Sequence, residues 1–448
     1  MGGVASVSSV VKLLYPGMRI KRWLVLLLIG ITFISLGTAY LMTQMYRTQP
    51  FPEFVAYVTL QFIDRTVRGF MFLIGGAVIS GIAILQLNRS LLAPFLTAGH
   101  SNIVDILHQH RNRQRGPRIV AIGGGTGLST LLRGLKEYTD NLTAIVTVAD
   151  DGGSSGRLRA ELGILPPGDF RQCLVALADA EPLMTRLFQY RFTEGQELGG
   201  HSFGNLFIAA MTAITGNFER ALRESSRVLA VRGQILPSTL ENLRLVAEFD
   251  DHDQVTGESA IPKVKKRLRR LSLQPGHPAA YPEAIRAILE ADLIVIGPGS
   301  LYTSVMPNLL VEDITRSIRS SRGAKVFVCN VATEDGETED FSVPDYVRAL
   351  EEHVGAHLFQ YVLVNSNTGV NLPGNTVTRL VTPADSLAES GYTVVMADVI
   401  DTVEPRRHHP KKLAQSILRI YYARDHISHP NGHGRDRDAD KVLVRADA

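Results

Sequence analysis

The sequence predicts an α/β domain with a mostly parallel sheet, preceded by a transmembrane helical hairpin. Two long uncharged runs near the N-terminus, short apolar strands alternating with helical stretches after Arg118, and a change of charge sign between the two parts carry this expectation. Residues 1–116 have a balance of +8 and residues 117–448 one of −5, so the whole-chain value of +3 is a sum of opposites. Such a distribution argues against a uniformly basic nucleic-acid-binding protein. With 448 residues, 45% hydrophobic and 20% charged, the chain is neither one small domain nor mainly disordered. Its two cysteines, Cys173 and Cys329, cannot build a disulfide framework or a four-cysteine zinc site, which points to buried thiols in a reducing compartment.

The first run, residues 23–42 (WLVLLLIGITFISLGTAYLM), has about the 20 residues a bilayer-spanning helix needs. The second, residues 70–87 (FMFLIGGAVISGIAILQL), is slightly shorter, and its Gly75, Gly76 and Gly81 suit close helix packing in lipid. A cleaved signal peptide fits less well, because the first apolar stretch exceeds the usual length and a second follows. Basic residues precede the first run (Lys12, Arg19, Lys21, Arg22) and follow the second (Arg89, Arg111, Arg113, Arg115, Arg118). The positive-inside rule then predicts a two-pass cell-membrane protein with both termini and the main domain in the cytoplasm. The expected division is a membrane anchor over 1–92, a basic juxtamembrane linker over 93–116, an α/β domain over 117–425 and a flexible tail over 426–448. The linker's HQHRNRQRGP either binds anionic lipid headgroups or is simply solvated.

In the α/β part, strands are expected at residues 118–122 (RIVAI), 143–149 (TAIVTVA), 293–296 (LIVI), 325–329 (KVFVC) and 361–364 (YVLV), with a helix over 128–138. Ligands bind at strand ends in such sheets. The first strand ends in Gly123-Gly124-Gly125-Thr126-Gly127, where glycines allow a sharp turn and close approach to a phosphate at a helix N-terminus. It is not the full dinucleotide fingerprint, since Leu128 stands where a third spaced glycine would be. The second strand runs into Asp150-Asp151-Gly152-Gly153-Ser154-Ser155-Gly156-Arg157. There Arg157 can clamp a phosphate, and Asp150 or Asp151 can accept from a ribose hydroxyl or hold a divalent ion with the ligand's phosphates. The same residues also make an ordinary turn and cap. Asp169, after Pro166-Pro167-Gly168, reads as a helix N-cap, and His201 and Asn205 open a further helix as caps or ligand contacts. Gly297-Pro298-Gly299-Ser300-Leu301-Tyr302-Thr303-Ser304 repeats the glycine-then-hydroxyl logic after LIVI.

Taken in order, GGGTGLSTLLRGL, TAIVTVADDGGSSGRLR, PPGDFRQCLVALAD, HSFGNL, GPGSLYTSVMPNLLV, VCNVATEDGET and RHHPKKLA closely resemble the YvcK-like branch of the YvcK/CofD family, over nearly all of residues 117–425. The resemblance implies a Rossmann-like domain that binds UDP-N-acetylglucosamine and regulates cell-wall synthesis, cell shape and gluconeogenic growth. It implies a ligand site containing the Gly123–Gly127 loop, Asp150, Tyr302 and Arg407, with Gly299, Ser300 and Thr303 in the tyrosine's motif. Arg407 matches the arginine of a family motif usually written RHD, whose acidic third residue is here His409, and Arg406 is a neighbouring alternative. The CofD branch instead implies a phospholactyl transferase using a nucleotide-activated lactate and magnesium.

Other sites are less favoured. The charge run KVKKRLRR over 263–270 lacks interleaved aromatics and reads as a solvated strand or helix face. No serine–histidine–acid triad or P-loop is recognisable, and a metal site at the tail histidines or His408-His409 lacks regular spacing. Two functions from different classes remain: a non-catalytic nucleotide-sugar sensor and a CofD-type transferase. The expected partners are the nucleotide sugar, the lipid bilayer, cell-wall synthesis proteins and a second copy of the chain.

Overall fold

The computed structural model describes residues 20–48, 57, 60, 62–92, 113–179, 182–195, 197–370, 372, 378–381 and 391–428. The chain divides into two compact units, Met1–Arg111 and Asn112–Ala448. In the first, both apolar runs are helical, as α1 (Ile20–Thr48) and α2 (Arg65–Leu92).

The membrane anchor expected from these runs is corrected. Among the described residues, no helix is long and apolar enough to cross a membrane. The two-pass topology and cytoplasmic orientation built on these runs fall with the anchor. The expected basic linker lies almost wholly outside the described residues, as does the tail beyond Ser428.

The second unit carries β1 (Ile119–Gly123), α3 (Gly125–Leu135), β2 (Leu142–Val146), α4 (Gly153–Leu162), α5 (Gly168–Leu177), α6 (Pro182–Gln189), α7 (Phe203–Thr215), α8 (Phe218–Val228) and β3 (Gln234–Pro237). Then follow β4 (Arg244–Phe249), β5 (Gln254–Thr256), α9 (Ile261–Val264), β6 (Leu268–Gln274), α10 (Pro282–Glu290) and β7 (Leu293–Ile296). A π-helix (Leu301–Val305) leads into α11 (Met306–Leu309), α12 (Glu312–Ser320), β8 (Ala324–Val328), α13 (Val343–Val354), β9 (Tyr361–Asn365), β10 (Thr393–Ala397) and α14 (Pro410–Ser428).

Seven strands form one sheet in the order β10-β9-β8-β7-β1-β2-β3, and every neighbouring pair is parallel. The central strands β1, β7 and β8 are buried along their whole length, which explains their apolar runs, broken only by Lys325 in β8, whose ammonium donates to the Ser321 carbonyl. Strand order reverses between β1 and β7: the chain builds outward from β1 to β3, then returns to β7 and builds the other way. This is the topological switch point of an open α/β sheet, where a crevice opens beyond the strand C-termini.

The sequence does not announce the separate antiparallel sheet β5-β4-β6, which accounts for the basic run. Lys266 pairs with Asp251 and Asp253, Arg269 with Glu248, and Lys265 with Asp335 at 3.1 Å. The run therefore faces acids of its own unit. Both cysteines are free and buried.

Candidate functional site

β1 ends at Gly123, whose buried carbonyl accepts from the Asn308 side chain (3.1 Å) and the Thr147 amide (3.1 Å). The chain then turns through Gly124, which has extended backbone, and starts α3 within the glycine motif itself. This places the helix three residues earlier than the periodicity suggests, so its free amides belong to the glycines. Gly125 has φ +59°, a left-handed conformation that side chains disfavour. At Gly127 a Cβ would stand 2.4 Å from the Pro298 carbonyl oxygen, so the loops after β1 and β7 touch backbone to backbone.

These two loops flank a cavity of about 740 Å³. Of the residues singled out in sequence, Gly124, Gly125, Thr126, Gly127, Asp150, Asp169, Gly299, Ser300, Thr303 and Arg407 line it. Gly123, Asp151, Ser154, Ser155, Arg157, His201, Asn205 and Tyr302 do not. The sequence reading missed Gln172, Glu258, Asn330, Glu334, Asp335 and Thr378, all of which line it, as does Arg406.

The wall beyond β7 is tied to the loop after β8. The Gly299 amide donates to Asn330 Oδ1 (3.3 Å), and Asn330 Nδ2 returns a bond to the Gly299 carbonyl (3.0 Å). Glu337 accepts from the Thr303 hydroxyl (2.8 Å) and the Tyr302 amide (3.3 Å) at the start of the π-helix. Such π segments often accompany functional sites. The Tyr302 ring packs edge-on against Phe341, with centroids 6.4 Å apart, and against His353 at 6.0 Å. In the sequence it reads as a ligand contact; here its ring belongs to the core.

Asp169 differs from its expected role. α5 begins at Gly168, Pro167 occupies the cap position, and no side chain caps the helix. The Asp169 carboxyl instead reaches the cavity, where it accepts from the Gly125 amide. Its neighbour Phe170 is fully buried edge-on against Phe218 (5.0 Å, 80°), which anchors the first turn of α5.

Arg157 and His201 serve local structure rather than the cavity. Arg157 donates to the Gly199 carbonyl (2.8 Å). His201 Nδ1 lies 3.0 Å from the Ser154 hydroxyl, which also receives Asn205 Nδ2 (3.1 Å). Asn205 Nδ2 further approaches Ser155 Oγ (3.4 Å), its Oδ1 accepts from Arg171 Nε (3.0 Å), and Ser155 bonds Asp150. The helix cap here is Ser202, whose hydroxyl accepts from the Asn205 amide. The arginine that braces the end of β2 is Arg159, which donates to the carbonyls of Ala149 and Asp150. Arg157 and Arg159 stand two apart on α4, so they point to different faces. That spacing is the sequence signal that only one could reach a shared ligand.

Carboxyls dominate the electrostatics. Burial, with Asp150's charge adding to it, pushes Asp169 up to about 7. Burial and the neighbouring Glu334 likewise push Glu337 up to about 7. Burial raises Asp150 and Glu334, and raises Glu258 well above the ordinary carboxyl range. His408, buried with its Nε2 3.2 Å from the Cys329 carbonyl, is pushed down to about 4 by burial and so is neutral at physiological pH. Arg406 and Arg407 line the cavity as well, and Arg407 pairs with Glu404 at 2.7 Å. Among the described residues no group of three or more histidine, cysteine or acidic side chains is placed to hold a metal ion.

Backbone amides at a helix N-terminus, two arginines and several buried carboxyls lining one cavity can hold an anionic, hydroxyl-rich molecule such as a sugar nucleotide.

Comparison with known proteins agrees with the fold. The family described as 2-phospho-L-lactate transferase CofD matches residues 119–400. A homologue from Nostoc sp. is 44% identical over 425 residues, 93% of each chain. The gluconeogenesis factor of Bacillus subtilis is 54% identical over 250 residues, 56% of this chain and 79% of that one. A crystal structure of a member of the upf0052 family from Bacillus halodurans superimposes with a TM-score of 0.63 at 45% identity, covering 67% of this chain and 99% of that one. The chain belongs to the CofD/YvcK family, among the homologues of the gluconeogenesis factors.

Proposed function

We propose that the switch-point cavity binds a UDP-sugar of the UDP-N-acetylglucosamine type, and that the protein is a regulator whose occupancy reports nucleotide-sugar supply to cell-wall synthesis and gluconeogenic growth. The observation that carries this reading is that the Gly124–Gly127 segment at the α3 N-terminus and Arg406 and Arg407 line one cavity. Amides and guanidinium groups suit a diphosphate, and the carboxyls suit sugar and ribose hydroxyls. The protein's partners as a regulator would be cell-wall synthesis proteins.

A second reading, a CofD-type phospholactyl transferase, is favoured by the family match and by the acid-rich lining. Such transfers proceed on positioning and electrostatics alone.

Calorimetry on the full chain with UDP-N-acetylglucosamine, GDP, GTP and NAD, with and without magnesium, separates the two. The sensor reading expects UDP-sugar binding that weakens at least about tenfold in Arg407→Ala, the loss of one charge-assisted contact. Indifference to the UDP-sugar together with magnesium-dependent guanine-nucleotide binding would replace it with the transferase.

A further inference from the structure

Glu258 is the one described cavity residue carried by the three-stranded sheet, on the connection between β5 and α9. The backbone around it is fixed on both sides. The Gly257 amide donates to the Leu245 carbonyl of β4 (2.8 Å), and the Ser259 amide donates to Asp151 Oδ1 (2.8 Å). A few residues on, Lys265 pairs with Asp335, which also lines the cavity. The side chain itself is not satisfied: Glu258 Oε2 is buried and has no hydrogen-bond partner. A buried polar atom left unpaired is destabilising, and native structures keep few of them. Here the atom borders a cavity, on a segment that the surrounding hydrogen bonds hold in place.

Asp150, Asp169, Glu337 and Asp151 all act on the Glu258 carboxyl as like charges, and Arg159 is the basic group within reach. Asp169, whose charge acts on Glu258, is the residue bonded by the Gly125 amide, which links Glu258 to the α3 N-terminus. The ionised oxygens of a sugar nucleotide's diphosphate accept hydrogen bonds and cannot donate, so a carboxyl facing them is useful there only with its proton on.

We propose that Glu258 is a ligand-contacting residue of this cavity, its carboxyl donating a hydrogen bond to a phosphoryl oxygen of a nucleoside diphosphate seated on the Gly124–Gly127 amides. The identity of the full ligand rests on the nucleotide-sugar reading above. The role of Glu258 does not, because inorganic pyrophosphate carries the same phosphoryl group. Burial, with the surrounding acids adding to it, holds the Glu258 proton to well above the ordinary carboxyl range. As pH rises and that proton is lost, the donor is replaced by a charge that repels the phosphate, so affinity falls.

The test is calorimetry on the full chain with UDP-N-acetylglucosamine and, separately, inorganic pyrophosphate, at about pH 6 and about pH 8.5, values chosen to bracket raised carboxyls. Wild type is expected to bind more weakly at the higher pH. Glu258→Gln keeps the size and a donor, so it holds its affinity and loses part of the pH slope. Glu258→Ala loses roughly tenfold or more at the lower pH, the effect of one missing hydrogen bond from a buried site. Asp169 and Glu337 both titrate near pH 7 and contribute slope of their own, so the readout is the difference between wild type and Glu258→Gln. Thermal melts establish that both variants are folded.

Four results overturn the proposal: a folded Glu258→Gln that loses affinity for both probes, a slope identical to wild type, a magnesium requirement that Glu258→Gln abolishes, or wild type that binds neither probe. Binding of pyrophosphate but not the UDP-sugar, with the variant pattern intact, supports Glu258 and removes the nucleotide-sugar reading instead.

Discussion

The segments after β1 and after β2 are made of the same materials, with glycines, hydroxyls and carboxylates following a buried parallel strand. After β1, Gly124 to Gly127 turn their backbone into the cavity. After β2, only Asp150 reaches it, while Ser154, Ser155 and Arg157 turn away into bonds with His201, Asn205 and the Gly199 carbonyl. The difference follows from strand order. β1 borders the reversal with β7, so its end faces an opening, whereas β2 lies one strand further out, between β1 and β3. Two strand ends of like composition thus do different work: the loop after β1 lines the cavity, and the segment after β2 mostly bonds within its own unit.

Breaking the first region should have the largest effect. Gly127→Ala forces a methyl against the Pro298 carbonyl and pushes the two switch-point loops apart. We expect UDP-sugar affinity to fall more than about tenfold and stability to drop by about 1–3 kcal/mol, the range for overpacking. Calorimetry and urea unfolding measure the two, and unchanged affinity would mean that the cradle is not where the ligand sits.

Breaking the second region should cost stability instead. Ser154→Ala removes the hydroxyl shared by His201 and Asn205 and leaves both short of a partner inside the fold. The expected loss is about 1–3 kcal/mol in urea unfolding, with affinity shifted less than about twofold. A large affinity loss at unchanged stability would place this network in ligand binding.

The smallest effect is expected from Arg157→Ala. It removes one bond to the Gly199 carbonyl, worth about 0.5–1.5 kcal/mol, and should leave affinity for UDP-N-acetylglucosamine unchanged. A tenfold loss would restore Arg157 to the phosphate-clamp role that its sequence position suggests.

Much of this architecture is legible in the sequence. The strand at 293–296 is found where its apolar run places it, and those beginning near 118, 143, 325 and 361 are found within a residue or so at their starts. Buried parallel strands leave an unbroken apolar signature that needs no partner to be read. β3, β10 and the antiparallel sheet are quieter, because half-exposed strands carry polar residues that also suit loops. The apolar runs near the N-terminus give helices but not the membrane spans expected of them.

The cavity was legible only in part, and the divide is physical. Glycine loops are local: their turn geometry is written in adjacent residues, so the sequence by itself determined the Gly123–Gly127 and Gly297–Ser300 turns. Asp169 offered itself as a helix cap on local grounds, yet the carboxyl bonds Gly125 some forty residues away in the chain. Glu258 and Glu334 come from the connection after β5 and from the loop after β8, and Tyr302, within the π-helix, is buried against Phe341 and His353. Sequence determines what each strand end is able to do. Only the tertiary structure decided which ends meet, because the crossover from β3 back to β7 opens the crevice, and no residue near β1 records that the chain will return there.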